Sequence, residues 1–201
     1  MATGSLFGAD LPEGFEYRDE FITLDEEARL VEHINSIAFA NFEMRGVVAK
    51  RRVAFFGASY GRTEGPSPPI PEFLFEVRGR FASWAGVPAD AFAMALINEY
   101  PPGAPIGWHR DAPQYDITAG VSLLSVAKMR LRPYLSPSDA ATQGTRRHTT
   151  HEIGLPPRSC CWRDHCGNLP YLSGFPRMLQ SHFRHGKMLV LGSCDGMRGV
   201  P

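Results

Sequence analysis

A series of short strand-like segments in the second half of this 201-residue chain constrains its fold more than any other feature. These segments are rich in apolar and β-branched residues and are separated by turn-forming residues; they span 92–100, 117–126, 128–134 and 151–155. Segment 92–100 ends at a Pro-Pro-Gly turn, and segment 128–134 alternates apolar with basic residues. Such alternation is typical of a strand with one buried face. The segments therefore predict several antiparallel strands.

Two helices are predicted ahead of these strands. Residues 23–38 begin with a Thr-Leu-Asp-Glu capping box, and apolar residues follow at helical spacing. A second helix is predicted from near Pro71, with an apolar stripe that ends at Gly86, and the Gly-, Pro- and Ser-rich stretch 61–69 before it predicts a loop. Helices followed by antiparallel strands indicate a single α+β domain over residues 1–201, with a β-sandwich or barrel core.

The overall charge and hydropathy exclude some classes of partner. The formal net charge is zero, so the overall charge does not predict binding to nucleic acid or to an anionic membrane. The N-terminal residues lack the basic start and apolar run of a signal peptide. No stretch approaches the roughly 18 apolar residues of a membrane span. We therefore expect a cytoplasmic monomer with no membrane partner.

A histidine and an aspartate separated by one residue, His109 and Asp111, lie just past the Pro/Gly-rich turn. Alternate residues of an extended chain project from the same face. With one later histidine, such a pair forms the two-histidine, one-carboxylate facial triad of non-haem Fe(II) oxygenases, which leaves three coordination positions open. The three-residue motif alone occurs often by chance and favours the simpler interpretation, a polar pair at the end of a strand.

Motifs around this pair make the metal interpretation much more specific. They are 51–60 (RRVAFFGASY), 70–74 (IPEFL), 98–103 (NEYPPG), 106–111 (IGWHRD), 120–125 (GVSLLS) and 129–132 (MRLR). In this order and at these spacings they resemble the AlkB family of Fe(II)/2-oxoglutarate dioxygenases, and the first two resemble that family's substrate lid. The resemblance covers about residues 12–159.

The resemblance implies a double-stranded β-helix, or jelly-roll, core with the N-terminal helices packed on it. It implies that His109 and Asp111 ligate Fe(II), and that Asn98 and Tyr100 hydrogen-bond the 2-oxoglutarate co-substrate, because an amide and a phenol can each donate to a carboxylate. The alternative for Asn98 and Tyr100 is a strand-end amide and a half-buried phenol without a ligand.

The family's usual reaction is the oxidative demethylation of alkylated bases in DNA or RNA. O₂ hydroxylates an N-methyl group, the hemiaminal loses formaldehyde, and 2-oxoglutarate becomes succinate and CO₂. The base must be unstacked to react, and aromatic side chains commonly hold it. Phe56 and Tyr60 are candidates for this stacking, and Arg51 is a candidate for phosphate contact. Core packing is an equally good interpretation of Phe56.

From residue 160 onward the sequence departs from the family pattern. The second histidine is expected near Ser173, followed by a strand whose arginines bind the 2-oxoglutarate carboxylate, and neither pattern is present. Later histidines are candidates for the third ligand: His165, His182 and His185, with His148 and His151 less favourably placed. The candidates for the missing arginine are Arg177 and Arg184.

This departure predicts that core strands after residue 159 are missing and that iron and 2-oxoglutarate bind poorly. A shifted reading frame over 160–201 is one explanation, which the nucleotide sequence would test. The other is that the chain has lost its third ligand. It would then be a catalytically impaired binding protein. A dioxygenase that acts on a protein or a small molecule is a separate alternative.

A thiolate-rich zinc site is a further alternative for the same segment. Its candidate ligands are Cys160, Cys161, His165, Cys166 and Cys194. The spacing lacks a C-x-x-C pair, and adjacent cysteines are a poor start for a tetrahedral site.

Overall fold

The computed structural model describes residues 15–44, 46–58, 67–109, 115–133, 150–164, 176–183 and 186–193, and of residues 44, 133, 163–164 and 176–183 it describes only the backbone. Within these ranges the chain forms two helices, α1 (Leu24–Asn35) and α2 (Phe75–Ala85). The strands in the same ranges are β1 (Phe15–Arg18), β2 (Ala40–Met44), β3 (Val47–Gly57), β4 (Phe92–Tyr100), β5 (Pro105–His109), β6 (Ile117–Leu123), β7 (Ala127–Pro133), β8 (His151–Leu155), β9 (Cys160–Asp164), β10 (Pro176–Phe183) and β11 (Gly186–Ser193).

The strands form two antiparallel sheets. The larger sheet has the order β1-β9-β6-β11-β4-β3-β2, and the smaller has the order β5-β10-β7-β8. One apolar cluster lies between the helices and the larger sheet, and a second lies between the two sheets. Each fully buried Leu, Ile or Phe in these clusters contributes about 1.5–3 kcal/mol relative to an exposed one. The predicted α+β class with a jelly-roll core is confirmed.

Both predicted helices are present, and the predicted capping box and glycine stop are formed. Thr23 and Glu26 make the capping box: the Thr23 hydroxyl accepts the Glu26 N–H at 3.2 Å, and the Glu26 carboxylate accepts the Thr23 N–H at 2.6 Å. Helix α2 follows a short 3-10 turn and ends at Gly86, whose φ of 70° is the left-handed conformation that favours glycine. Both helices bury their apolar faces against the larger sheet. No described helix is long and apolar enough to span a bilayer.

The C-terminal segment supplies central strands to both sheets. β11 lies between β4 and β6 in the larger sheet, and β10 lies between β5 and β7 in the smaller one. The prediction that core strands after residue 159 are missing is therefore wrong. In β11 every residue except Val190 is buried, so the strand has apolar residues on both faces and does not alternate.

Candidate functional site

A cavity of about 740 Å³, its solvent-open mouth included, lies between the two sheets. Strand β4 shows how the sequence builds it. Leu96, Asn98 and Tyr100 line the cavity, whereas Ala95 and Ile97, on the other face of the strand, belong to the helix-side cluster. This is the two-residue alternation of an extended strand. From Leu96 to Tyr100, every second residue of β4 is therefore presented to the space between the sheets.

Four polar side chains that the motifs singled out meet in this cavity: Arg51, Asn98, Tyr100 and His109. Asn98 is 3% exposed and Tyr100 is fully buried. The walls between them are mostly apolar and come from both sheets, with Met129 and Leu131 on the smaller sheet among them. A few polar groups converging in an apolar cavity are the usual character of a small-molecule site.

His109 ends β5, and the hydrogen bond of its Nδ1 indicates which ring nitrogen could ligate a metal. Its Nδ1 lies 2.9 Å from the carbonyl oxygen of Gly107. A carbonyl oxygen only accepts, so Nδ1 carries the hydrogen and Nε2 keeps the lone pair of a neutral imidazole. Metal-ligating histidines commonly donate their other ring N–H to a backbone carbonyl in this way. The local geometry therefore fits an Fe(II) ligand at Nε2.

Most of the other candidate ligands lie outside the described residues. Asp111 lies outside the described residues, as do His165 and His185. The part of the chain that the structure describes contains no cluster of three His, Cys, Asp or Glu side chains able to hold a metal. The assignment of Asp111 and of a third ligand stays a prediction.

Backbone register bears on His182 as the third ligand. Leu179 of β10 lies opposite His109, whereas His182 lies opposite Pro105 on one side and Lys128 on the other. Three residues along a strand correspond to about 10 Å. The register therefore argues against His182 as a partner of His109 at one metal ion.

Arg51 points into the cavity from β3. Its Nε donates to Asn98 Oδ1 at 3.1 Å, and its guanidinium carbon lies 4.2 Å from the ring centroid of Phe42. Burial lowers the pKa of Arg51, and the Tyr100 hydroxyl opposes this change. A half-buried guanidinium that lines the cavity and contacts Asn98 is also placed for a ligand inside the cavity, and the role of Arg51 in phosphate contact stays a prediction.

The adjacent Arg52 occupies the opposite face of β3 and has a different environment. Its guanidinium pairs with Glu99, and its side chain is 53% exposed. The other carboxylate oxygen of Glu99 accepts from Lys187 Nζ at 2.8 Å. Arg51 and Arg52 therefore differ in location although they are neighbours in sequence.

Phe56 does not face the cavity. Its ring packs against the helix-side cluster, which favours the core-packing interpretation, and its stacking on substrate stays a prediction. Phe55 lies opposite Leu96, which lines the cavity, and so shares the cavity face of the larger sheet. The alternation of β3 places Arg51 and Phe55 on one face and Phe56 on the other. Tyr60 lies outside the described residues.

The zinc alternative is wrong for its two adjacent cysteines. Cys160 belongs to the helix-side cluster, whereas Cys161 belongs to the cluster between the sheets. Successive residues of β9 project from opposite faces, so the two thiols cannot bind one ion. Burial also raises the pKa of Cys160, which disfavours the thiolate that a metal requires.

A family model covers most of the chain. Residues 36–198 match the model of the 2OG-Fe(II) oxygenase superfamily. The matched range includes most of the segment after residue 159. No curated protein sequence matches the chain.

Solved structures share the fold at low sequence identity. The structure of OsALKBH1 is 13% identical with a TM-score of 0.64, and the similarity covers 91% of this chain and 99% of that one. A prolyl-4-hydroxylase from Pseudomonas putida is 10% identical with a TM-score of 0.56, covering 90% and 92% of the two chains. The epimerase SnoN from nogalamycin biosynthesis is 14% identical with a TM-score of 0.54, covering 90% and 76%.

Proposed function

The chain belongs to the 2OG-Fe(II) oxygenase superfamily, and we propose that within it the protein is an AlkB-like enzyme that removes N-linked methyl groups from bases of DNA or RNA. Membership makes it an Fe(II)-dependent dioxygenase that uses 2-oxoglutarate and O₂. The proposal concerns the substrate and the residues of the site.

The observation that carries the proposal is the meeting of His109 with Asn98 and Tyr100 in one cavity. His109 belongs to the H-x-D motif, and the other two occupy the positions that AlkB-like proteins use for the co-substrate. His109 Nε2 and the Asp111 carboxylate would hold Fe(II), and the Asn98 amide and the Tyr100 hydroxyl would donate to 2-oxoglutarate. The donor set fits both groups.

Bound Fe(II) with 2-oxoglutarate and O₂ supplies the oxidation of the substrate methyl carbon, which leaves as formaldehyde while 2-oxoglutarate becomes succinate and CO₂. The chain's own contribution is to orient these groups and exclude water. Met129, Leu131 and Met188 make the cavity walls apolar, and such walls strengthen every polar contact inside.

Two features of the β2–β3 hairpin and one structural comparison support a nucleic-acid base as the substrate. The hairpin of β2 and β3 exposes Val47 and Val48, at 68% and 59%, beside the exposed Lys50. Phe55 is on the cavity face of the same hairpin and is a candidate for stacking on an unstacked base. OsALKBH1, one of the structures that share the fold, also bears the AlkB name.

Formaldehyde release tests the proposal. The protein is incubated with Fe(II), 2-oxoglutarate, O₂ and single- or double-stranded oligonucleotides that carry ring-nitrogen methyl groups. We expect formaldehyde, succinate and the unmethylated base, and none of the three from His109→Ala. Succinate without base repair from any oligonucleotide would point to a protein or small-molecule substrate. Absence of succinate as well would point to a catalytically impaired binding protein.

A further inference from the structure

The positive charge in the cavity comes from strand β3 and not from the final strand. Within the described residues, Arg51 is the one Lys or Arg side chain that lines it. The final strand β11 contributes Met188 and Val190 to the lining, and these lie opposite Asn98 and Leu96 in register. β11 contains no arginine, and its Lys187 is paired with Glu99. In the AlkB-like pattern, arginines of the final strand bind the 2-oxoglutarate carboxylate. β11 has no unpaired cation for this contact.

Arg51 is held in a fixed orientation by its neighbours. Its Nε donates to Asn98 Oδ1 at 3.1 Å, and the face of the guanidinium covers the ring of Phe42 at 4.2 Å. Among the residues that the structure describes, no carboxylate is within ion-pair distance of Arg51, and its two Nη atoms make no hydrogen bond. The planar fork of donors is therefore available to a ligand.

Asn98 adds to this arrangement. Because its Oδ1 accepts from Arg51, its Nδ2 is left as a donor beside the guanidinium. Tyr100 lines the same cavity on the same strand, two residues further along. Guanidinium, amide and phenol together match the oxygen atoms of a carboxylate. A partly desolvated cation without a protein anion is also stabilised by an anionic ligand.

We propose that Arg51 binds the distal carboxylate of 2-oxoglutarate and replaces the arginine that the final strand lacks. The inference rests on the co-substrate of the superfamily and not on the nucleic-acid substrate. A failure to demethylate bases would therefore leave it untouched, and a failure of Arg51 to bind 2-oxoglutarate would not exclude base demethylation. It changes the predicted role of Arg51 from phosphate contact to co-substrate binding.

Binding of two keto acids tests the proposal without turnover. The protein is loaded with Mn(II), and its affinity is measured by calorimetry for 2-oxoglutarate and for 2-oxopentanoate, in which a methyl group replaces the distal carboxylate. Wild type is expected to prefer 2-oxoglutarate by about 30-fold or more. Arg51→Met should abolish that preference and leave the weaker affinity for 2-oxopentanoate nearly unchanged.

Arg52→Met is the matched control because it removes the neighbouring guanidinium from the other face of β3. It should keep the wild-type preference. Equal preference in Arg51→Met and wild type, or loss of preference in Arg52→Met alone, would overturn the proposal.

Chemical modification gives a second test that needs no variant to fold. Phenylglyoxal modifies accessible guanidinium groups, and mass spectrometry gives the extent at each arginine. With Mn(II) present, 2-oxoglutarate should protect Arg51 several-fold, whereas 2-oxopentanoate should protect it little, and neither should protect Arg52. Modification of Arg51 at the same rate with and without 2-oxoglutarate would overturn the proposal.

Discussion

Glu27 on helix α1 accepts the backbone N–H of Leu124 at 2.7 Å, joining residues 97 positions apart in sequence. Leu124 directly follows β6 and has a φ of 71°, a conformation that a non-glycine residue rarely adopts. Glu27 is 6% exposed, and its other carboxylate oxygen lies 3.4 Å from Arg158 Nη1. One buried carboxylate therefore fixes the helix to two turns of the larger sheet.

Removal of the Glu27 carboxylate should destabilise the fold. Glu27→Ala leaves the Leu124 N–H without its acceptor, which costs about 1–3 kcal/mol in the free energy of unfolding. Glu27→Gln keeps a side-chain acceptor and should lose less. Urea unfolding measures both, and Glu32→Ala, which truncates an exposed carboxylate of the same helix, is the control. Equal stability of Glu27→Ala and Glu32→Ala would contradict the structural role of Glu27.

The ion pair between Glu26 and Arg80 makes stability depend on pH. Hydrogen bonds from the Arg80 side chain and the Thr23 backbone lower the pKa of Glu26 from 4.5 to about 2. A lowered folded-state pKa adds stability above the unfolded pKa, and this stability is lost as the pH falls towards 2. The contribution is about 1–2 kcal/mol, since the pair is partly exposed and screened.

Glu26→Gln should remove this dependence while the amide keeps the capping box. Between pH 5 and about pH 2 the wild type should lose more unfolding free energy than the variant. Glu32→Gln should follow the wild-type profile. Parallel losses in wild type and Glu26→Gln over this range would show that the pair does not titrate as proposed.

The two partners in the buried pair of Lys187 and Glu99 should respond unequally to substitution. Lys187→Met leaves Glu99 paired with Arg52 and puts an apolar side chain in a buried position, so we expect a change within about 1 kcal/mol. Glu99→Ala leaves the Lys187 ammonium buried without its partner and should cost about 3–5 kcal/mol. Urea unfolding of the two variants compares them directly. Equal losses would mean that the charge of Lys187 is not desolvated.

Two glycines should respond in opposite directions to alanine. A Cβ at Gly57 would lie 2.2 Å from the Ala93 carbonyl oxygen, and the φ of Gly57 is 75°. Gly57→Ala should therefore lower the melting temperature strongly. Gly79 lies within α2 with no atom within 4 Å of an added Cβ, so Gly79→Ala should stabilise by about 0.5–1 kcal/mol. Destabilisation by both substitutions would contradict the described packing.

The two helices and the strands β4, β6, β7 and β8 were predictable because their signals are local. The capping box of α1, the stop at Gly86 and the alternation in β7 each depend on a few neighbouring residues. β11 was not predictable in this way, since burial on both faces removes alternation. The short strand β1 also gives too few residues for a pattern.

For the site, the resemblance identified Asn98, Tyr100 and His109, and the structure brings these three together. The cavity-facing positions of Arg51 and Phe55 are hard to predict because residues 51–60 resemble a substrate lid, whereas residues 51–57 belong to strand β3. Recognition of β3 as extended would have placed both on one face by alternation. The burial of Arg51 and its contact with Asn98 depend on residues 47 positions apart, and no local pattern contains that information.

The central claim is that this cavity holds the metal through His109, and metal content after anaerobic reconstitution tests it most directly. The protein is loaded with Fe(II) and 2-oxoglutarate and freed of unbound iron by gel filtration. The measured iron should be about one atom per chain in wild type and in His33→Ala, a control at an exposed position of helix α1, and should be largely lost in His109→Ala. Full retention of iron by His109→Ala would contradict the claim.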